Sequence, residues 1–204
     1  MSASSARPDG VTRLMVLDSP VASRWAEADV LISGGVAEIP AGCLLQVVVH
    51  RHGRAPHAPQ AALLSGWGDW TGAVATTLSH DTHNLVVFGR DPAEMLRAAQ
   101  AVVAHGGGIA VARAGAVIAE VPLPIAGILS DRPAAEVAEQ QRATQQAAIE
   151  IGMPTAPLTQ QPLFHVLAAT LPCIPGPHLT DIGVVDGDTG TIVPSLLVSA
   201  GASA

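Results

Sequence analysis

The sequence predicts an α+β fold, a mixed or antiparallel β-sheet with helices packed on one face. Strand-like segments come first in series and helical ones later, without the regular alternation of a βαβ array. The clearest strand, residues 44–49, and the clearest helix, opening at Asp91, each carry a strong local signal. At 204 residues the chain suits one sizeable core with frayed ends.

Residues 1–10 are rich in Ser, Ala and Pro and are expected as a disordered tail, before a folded domain over 11–194. Short strands are expected over 11–17 and 30–32, then the stronger Leu44-Leu45-Gln46-Val47-Val48-Val49, ending in His50-Arg51-His52-Gly53. Two prolines make 54–59 a loop, followed by an apolar stretch at 61–64 and a turn at Ser65-Gly66-Trp67-Gly68. Apolar runs at 72–78 and 85–89 flank a polar turn.

Asp91-Pro92-Ala93-Glu94 opens a helix, since Asp caps free amides, Pro suits the first turn and Glu three residues on completes a capping box. Met95, Leu96, Ala99, Val102 and Val103 follow at helical spacing, and Gly106-Gly107-Gly108 stops the helix. A β-hairpin is expected over 109–112 and 116–121, a second helix over 133–151 and a short helix over 163–169. Residues 195–204 form a C-terminal tail in which Leu196-Leu197-Val198 can still dock.

Composition narrows the function. All ten basic residues are Arg, and there is no Lys or Tyr, so Schiff-base lysine, carbamylated lysine and tyrosine-acid mechanisms are excluded within this chain. A formal net charge of -7 argues against a nucleic-acid surface. No apolar run approaches the roughly 18 to 20 residues of a membrane helix, and residues 1–10 lack an apolar signal core, so a cytoplasmic, soluble protein without a membrane partner is expected. Cys43 and Cys173 stand far apart in no CxxC pair, which predicts two buried thiols.

Ser79-His80-Asp81-Thr82-His83-Asn84 concentrates two imidazoles, a carboxylate and a carboxamide. In a tight turn His80 and His83 can both face a cleft, as a metal site or as a proton-transfer and hydrogen-bonding site for a polar heterocycle. A plain polar turn is the other reading. His50-Arg51-His52 after a strand is how amidohydrolase barrels begin a metal site, because alternate residues share a direction. Such a barrel needs about 250 residues, so two exposed histidines are the competing expectation. Ser130 and Asp131 either cap the second helix or face a substrate, and His178-Leu179-Thr180-Asp181 is expected as a surface turn.

Taken in order, several segments resemble one family. The run from Gly66 to Gly89 around His80-Asp81-Thr82-His83-Asn84 resembles the HDSHN region of the C-terminal domain of bacterial adenine deaminases. The likeness continues through Gly106-Gly107-Gly108, Glu120-Val121-Pro122-Leu123-Pro124-Ile125-Ala126-Gly127-Ile128-Leu129-Ser130-Asp131 and Leu171-Pro172-Cys173-Ile174-Pro175 to Leu179-Thr180-Asp181-Ile182-Gly183-Val184-Val185-Asp186. Two departures stand out: the family carries a basic residue near Trp70 or Thr71, and an acidic one at His50.

The resemblance implies an adenine deaminase C-terminal-like fold and a part in metal-dependent hydrolysis of adenine to hypoxanthine and ammonia, a metal-bound hydroxide attacking the carbon that bears the amine. In that family an amidohydrolase barrel precedes this part and holds the divalent metal (Mn, Fe or Zn), so a separate barrel subunit is the expected partner and adenine or a related purine the ligand. His80, Asp81 and His83 are then the catalytic candidates, and Asn84, Ser130 and Asp131 the substrate-binding ones. His80 and His83 are candidate metal ligands, with His50 and His52 as further ones. The alternatives are a non-catalytic purine-binding or oligomerisation module, its apolar patches covered by homo-oligomer formation, and a stand-alone metal-dependent hydrolase built on His80 and His83.

Overall fold

The computed structural model describes residues 10–18, 23–53, 57–155 and 161–198. Its main sheet has nine strands: β1 (Gly10–Asp18), β2 (Trp25–Ser33), β3 (Val36–Ala37), β4 (Cys43–Val49), β5 (Gln60–Ser65), β6 (Ala73–Thr76), β7 (Leu85–Gly89), β8 (Gly108–Arg113) and β9 (Ala116–Pro122). They lie in the order β3-β2-β1-β5-β4-β7-β6-β8-β9. Neighbours run antiparallel except β1 and β5, which pair in parallel through Leu17↔Leu64 and Asp18↔Ser65. Helix α1 (Pro92–Ala104) stands between β7 and β8, and α2 (Ala134–Glu150) and α3 (Phe164–Ala168) come after β9, before a second sheet of β10 (Pro177–Thr180), β11 (Gly183–Asp186) and β12 (Thr191–Ile192). The class is α+β.

The helices divide between both faces of the sheet, where a single helical face was expected. Strands β6, β7 and β8 are apolar at nearly every position, so each face demands cover. Ala73, Ala75, Leu85, Val87, Ala110 and Ala112 meet Met95, Ala98 and Val102 of α1 on one side. Val74, Val86, Phe88, Ile109 and Val111 point the other way, into a larger core with Ala147, Ala148, Val166, Leu179 and Val184 from α2, α3, β10 and β11. Trp67 stacks on Phe88 there, with ring centroids 5.4 Å apart, so the expected turn at 65–68 delivers a core aromatic.

Asp91 caps α1 as expected, its carboxylate accepting the Ala93 N–H at 2.7 Å. The capping box does not form: Glu94 Oε1 accepts the Gly115 N–H of the β8–β9 turn at 2.7 Å. Helix α2 has Pro133 at its N-cap and no side-chain cap, and Ser130 Oγ instead accepts the Arg132 N–H at 3.2 Å. Cys43 is buried but Cys173 is exposed, where two buried thiols were expected. Residues 178–181, expected as a surface turn, form most of β10 and the start of the following turn, with His178 and Leu179 buried. Of the expected tails, residues 1–9 and 199–204 lie outside the described residues. Gly10 opens β1, and Leu197 bridges Leu14.

Candidate functional site

Several chain segments meet at one end of the main sheet. Strand β4 leaves its ladder at Val49, opposite Leu85, the first residue of β7. His50, Arg51 and His52 therefore run on beside the turn that enters β7. Strand β8 begins on the same side, with Gly108 opposite Pro122 at the end of β9. Turns, strand ends and the 122–130 segment are thus gathered by register alone.

The turn at residues 79–84 is held from beneath. Ser79 is buried and its hydroxyl meets Thr170 Oγ1 at 2.5 Å, while Thr170 Oγ1 also reaches His80 O at 2.8 Å. The His80 N–H donates to Leu167 O at 2.9 Å, and the His83 N–H closes the turn on Ser79 O at 2.8 Å. His83 takes a left-handed φ of 50°, where non-glycine residues are uncommon. The His80 and His83 ring centroids are 5.3 Å apart. His80 and Asp81 are exposed, His83 is half-buried with Nδ1 unpartnered, and Asn84 is buried.

Arg51 clamps this turn to the 122–130 segment. Its Nε donates to His83 O at 2.5 Å and its Nη2 to Ala126 O at 2.7 Å, and its backbone N–H reaches Asn84 Oδ1 at 3.4 Å. Burial pushes the guanidinium below its ordinary pKa. Gly127 makes room for it: a Cβ there would lie 2.6 Å from Arg51 Nη2. Beside it, Thr77 Oγ1 donates to Gly127 O at 2.6 Å and accepts the Gly108 N–H at 2.8 Å.

A second cluster faces a cleft of about 500 Å³ lined by His50, His52, Thr82, Asn84 and Asp181. His50 Nδ1 lies 2.8 Å from Asp181 Oδ2, across 131 residues of sequence. Asn84 Nδ2 donates to Thr82 Oγ1 at 3.0 Å, and His52 Nε2 donates to Thr82 O at 2.7 Å.

The expected site residues are therefore only partly brought together. Asn84, His50 and His52 share the cleft, whereas His80, Asp81 and His83 stand on the turn beside it, and Ser130 and Asp131 do not line it. Sequence reading placed Asp181 in a surface turn and gave no role to Thr82 or to the Arg51 clamp. A short Pro177-His178-Leu179-Thr180 strand gives no local signal that Asp181 meets His50. As for metal, among the described residues no three His, Cys, Asp or Glu side chains stand close enough to share one ion. The pairs His80 with His83 and His50 with His52 each lack the converging donors that a tetrahedral centre requires, so these residues do not fit a resident metal.

The family model for the adenine deaminase C-terminal domain matches residues 21–191. An adenine deaminase of Klebsiella pneumoniae subsp. pneumoniae is 44% identical over 189 residues, 92% of this chain and 31% of that protein. Adenine deaminase 2 of Rhizobium meliloti is 46% identical over 187 residues, 90% of this chain and 30% of that protein. An adenine deaminase of Serratia proteamaculans is 47% identical over 176 residues, 86% of this chain and 29% of that protein. The chain spans about 30% of the length of such relatives. With the 79–84 turn and the Arg51 clamp inside the matched span, the chain belongs to the adenine deaminase C-terminal domain family.

Proposed function

We propose that this chain works beside an amidohydrolase barrel in the hydrolytic deamination of adenine to hypoxanthine and ammonia. The observation that carries the reading is the 79–84 turn. It is tied down by Thr170, Leu167 and Arg51, yet the side chains of His80 and Asp81 are left exposed and unused by the fold. A turn so fixed presents titratable groups at a defined place, which is what proton transfer to a bound base requires.

On this reading His80 and His83 hold and move protons, Asp81 sets the local field and Asn84 anchors the turn from below. Ser130 and Asp131 lie just past the segment that Arg51 grips, within reach of a substrate entering over Ala126. On this reading the divalent metal, Mn, Fe or Zn, belongs to the barrel. Ile125 and Leu129, 48% and 57% exposed, supply an apolar edge beside the turn for the barrel or for a second copy of the chain to cover. Among the described residues no helix is long and apolar enough to cross a membrane.

The test mixes this chain with the part of the Klebsiella pneumoniae relative that lies outside the matched segment, and follows ammonia release from adenine. Turnover is expected only in the mixture, falling at least about tenfold with His83→Ala. Equal turnover with and without this chain would reject the proposal.

A further inference from the structure

We infer that the pocket between α1 and the ends of β4 and β7 binds a small aliphatic carboxylate, its acid group on Arg51 and its chain among Val49, Leu85 and Val102. This site is separate from the histidine cleft and needs no barrel to complete it. The pocket holds about 260 Å³ and opens where the α1-side core runs out. Leu85 and Val102 are buried members of that core and Val49 packs against it, while Val103, 65% exposed, stands at the mouth.

Two of the polar features along the wall are already engaged. The Thr77 hydroxyl donates to Gly127 O and accepts the Gly108 N–H. The Val102 and Val103 carbonyls accept the N–H groups of Gly107 and Gly106, each at 3.0 Å, so this end of α1 turns little negative charge on the pocket. Arg51 differs from both. Its Nε gives one N–H to His83 O and its Nη2 one to Ala126 O, which leaves two on Nη1 and one on Nη2 without an acceptor among the described residues.

The charge is unmatched as well. Among the described residues no carboxylate pairs with Arg51, and residues 54–56, which follow it closely, contain no acid. Desolvation lowers the guanidinium pKa, and no neighbouring carboxylate acts to raise it. A half-buried cation with donors to spare and no counter-ion favours taking up an anion. Two parallel N–H···O bonds from Nη1 and Nη2 suit the two oxygens of a carboxylate. A phosphate suits the pocket less, since its remaining oxygens would lie against Val49, Leu85 and Val102, whose side chains donate nothing. The volume falls just below the roughly 300 Å³ at which sites for drug-sized ligands begin, so the acid is one of a few carbons.

The experiment is isothermal titration calorimetry of the full 204-residue chain at neutral pH with isovalerate, acetate, isoamyl alcohol and inorganic phosphate. One isovalerate per chain is expected. Acetate should bind at least about tenfold more weakly for want of the apolar chain, and isoamyl alcohol about tenfold more weakly or worse for want of the charge. Arg51→Gln should weaken isovalerate at least about tenfold. Val103→Glu, at an exposed position, should weaken it severalfold by repulsion at the mouth, whereas Val103→Gln should leave it within about twofold. Circular dichroism confirms that each variant is folded, and the Val103 pair decides the matter if Arg51→Gln does not fold. Any of four results overturns the inference: no isovalerate binding, alcohol or phosphate binding as tight as the acid, binding that folded Arg51→Gln leaves unchanged, or equal affinities in the two Val103 variants.

Discussion

His80 and His83 lie three residues apart on one turn, whereas His50 and Asp181 lie 131 residues apart and meet at 2.8 Å. The first pair is conspicuous in the sequence yet depends on the rest of the fold only through backbone anchors. The second is silent in the sequence but joined side chain to side chain. Concentrated polarity marks where a chain turns outward, and a built cleft needs partners that only the sheet order brings together. Asn84 belongs to both, as the last residue of the turn and part of the cleft wall.

The largest expected effect separates the two by breaking the floor beneath the turn. Gly107 has φ +145°, and a Cβ there would lie 2.2 Å from Gly127 Cα, a backbone atom that cannot swing aside. Gly107→Ala should therefore cost about 3 kcal/mol in urea denaturation and displace the 122–130 segment from Arg51. The next effect is more selective. Arg51→Ala removes the donors to His83 O and Ala126 O and should cost about 2 kcal/mol. Amide exchange should quicken at 79–83 and 125–128, while the backbone N–H of residue 51 still holds Asn84 and the cleft survives. Loss of the cleft together with the turn would show that the two regions are one.

The smallest effect is a pH dependence. His165 is buried against Trp67, and desolvation holds its pKa below the usual imidazole value. The unfolded chain takes up this proton at higher pH than the folded one. Stability from neutral His165 is thus complete above about pH 6.5 and falls as pH drops toward the folded pKa. His165→Leu should flatten the stability profile below about pH 6.5 by up to ~1.4 kcal/mol per pH unit, read from denaturation midpoints. Since α3 carries His165 and Leu167, whose carbonyl holds the His80 N–H, acid should loosen the turn before it loosens the cleft.

Period and punctuation made much of the fold legible. The β-branched apolar run at 44–49, the capped start at Asp91 and the glycine stop at 106–108 all correspond to observed elements. The division of helices between two faces was not legible, because β6 to β8 are apolar on both sides and a continuous apolar run does not say which side a helix will cover. Strands β10 to β12 were missed for their brevity, four residues or fewer. Asp181 was lost with them. His50 read as an exposed neighbour of His52, since nothing nearby announces a carboxylate coming from so far along the chain.

The parallel pairing of β1 with β5 has a consequence for how the molecule comes apart. Two residue pairs, Leu17↔Leu64 and Asp18↔Ser65, join the β1–β3 ribbon to the rest of the main sheet. Within the ribbon, β1 and β2 share an antiparallel register from Gly10↔Ile32 to Leu17↔Trp25, so it holds together more firmly than it holds on. A seam this short, closing a long loop, is a late contact in folding and an early one to part on unfolding. Val16 and Val30 pack on Leu63 across the seam, so buried side chains more than ladder hydrogen bonds hold the ribbon on, and losing it would leave β5 as a new edge.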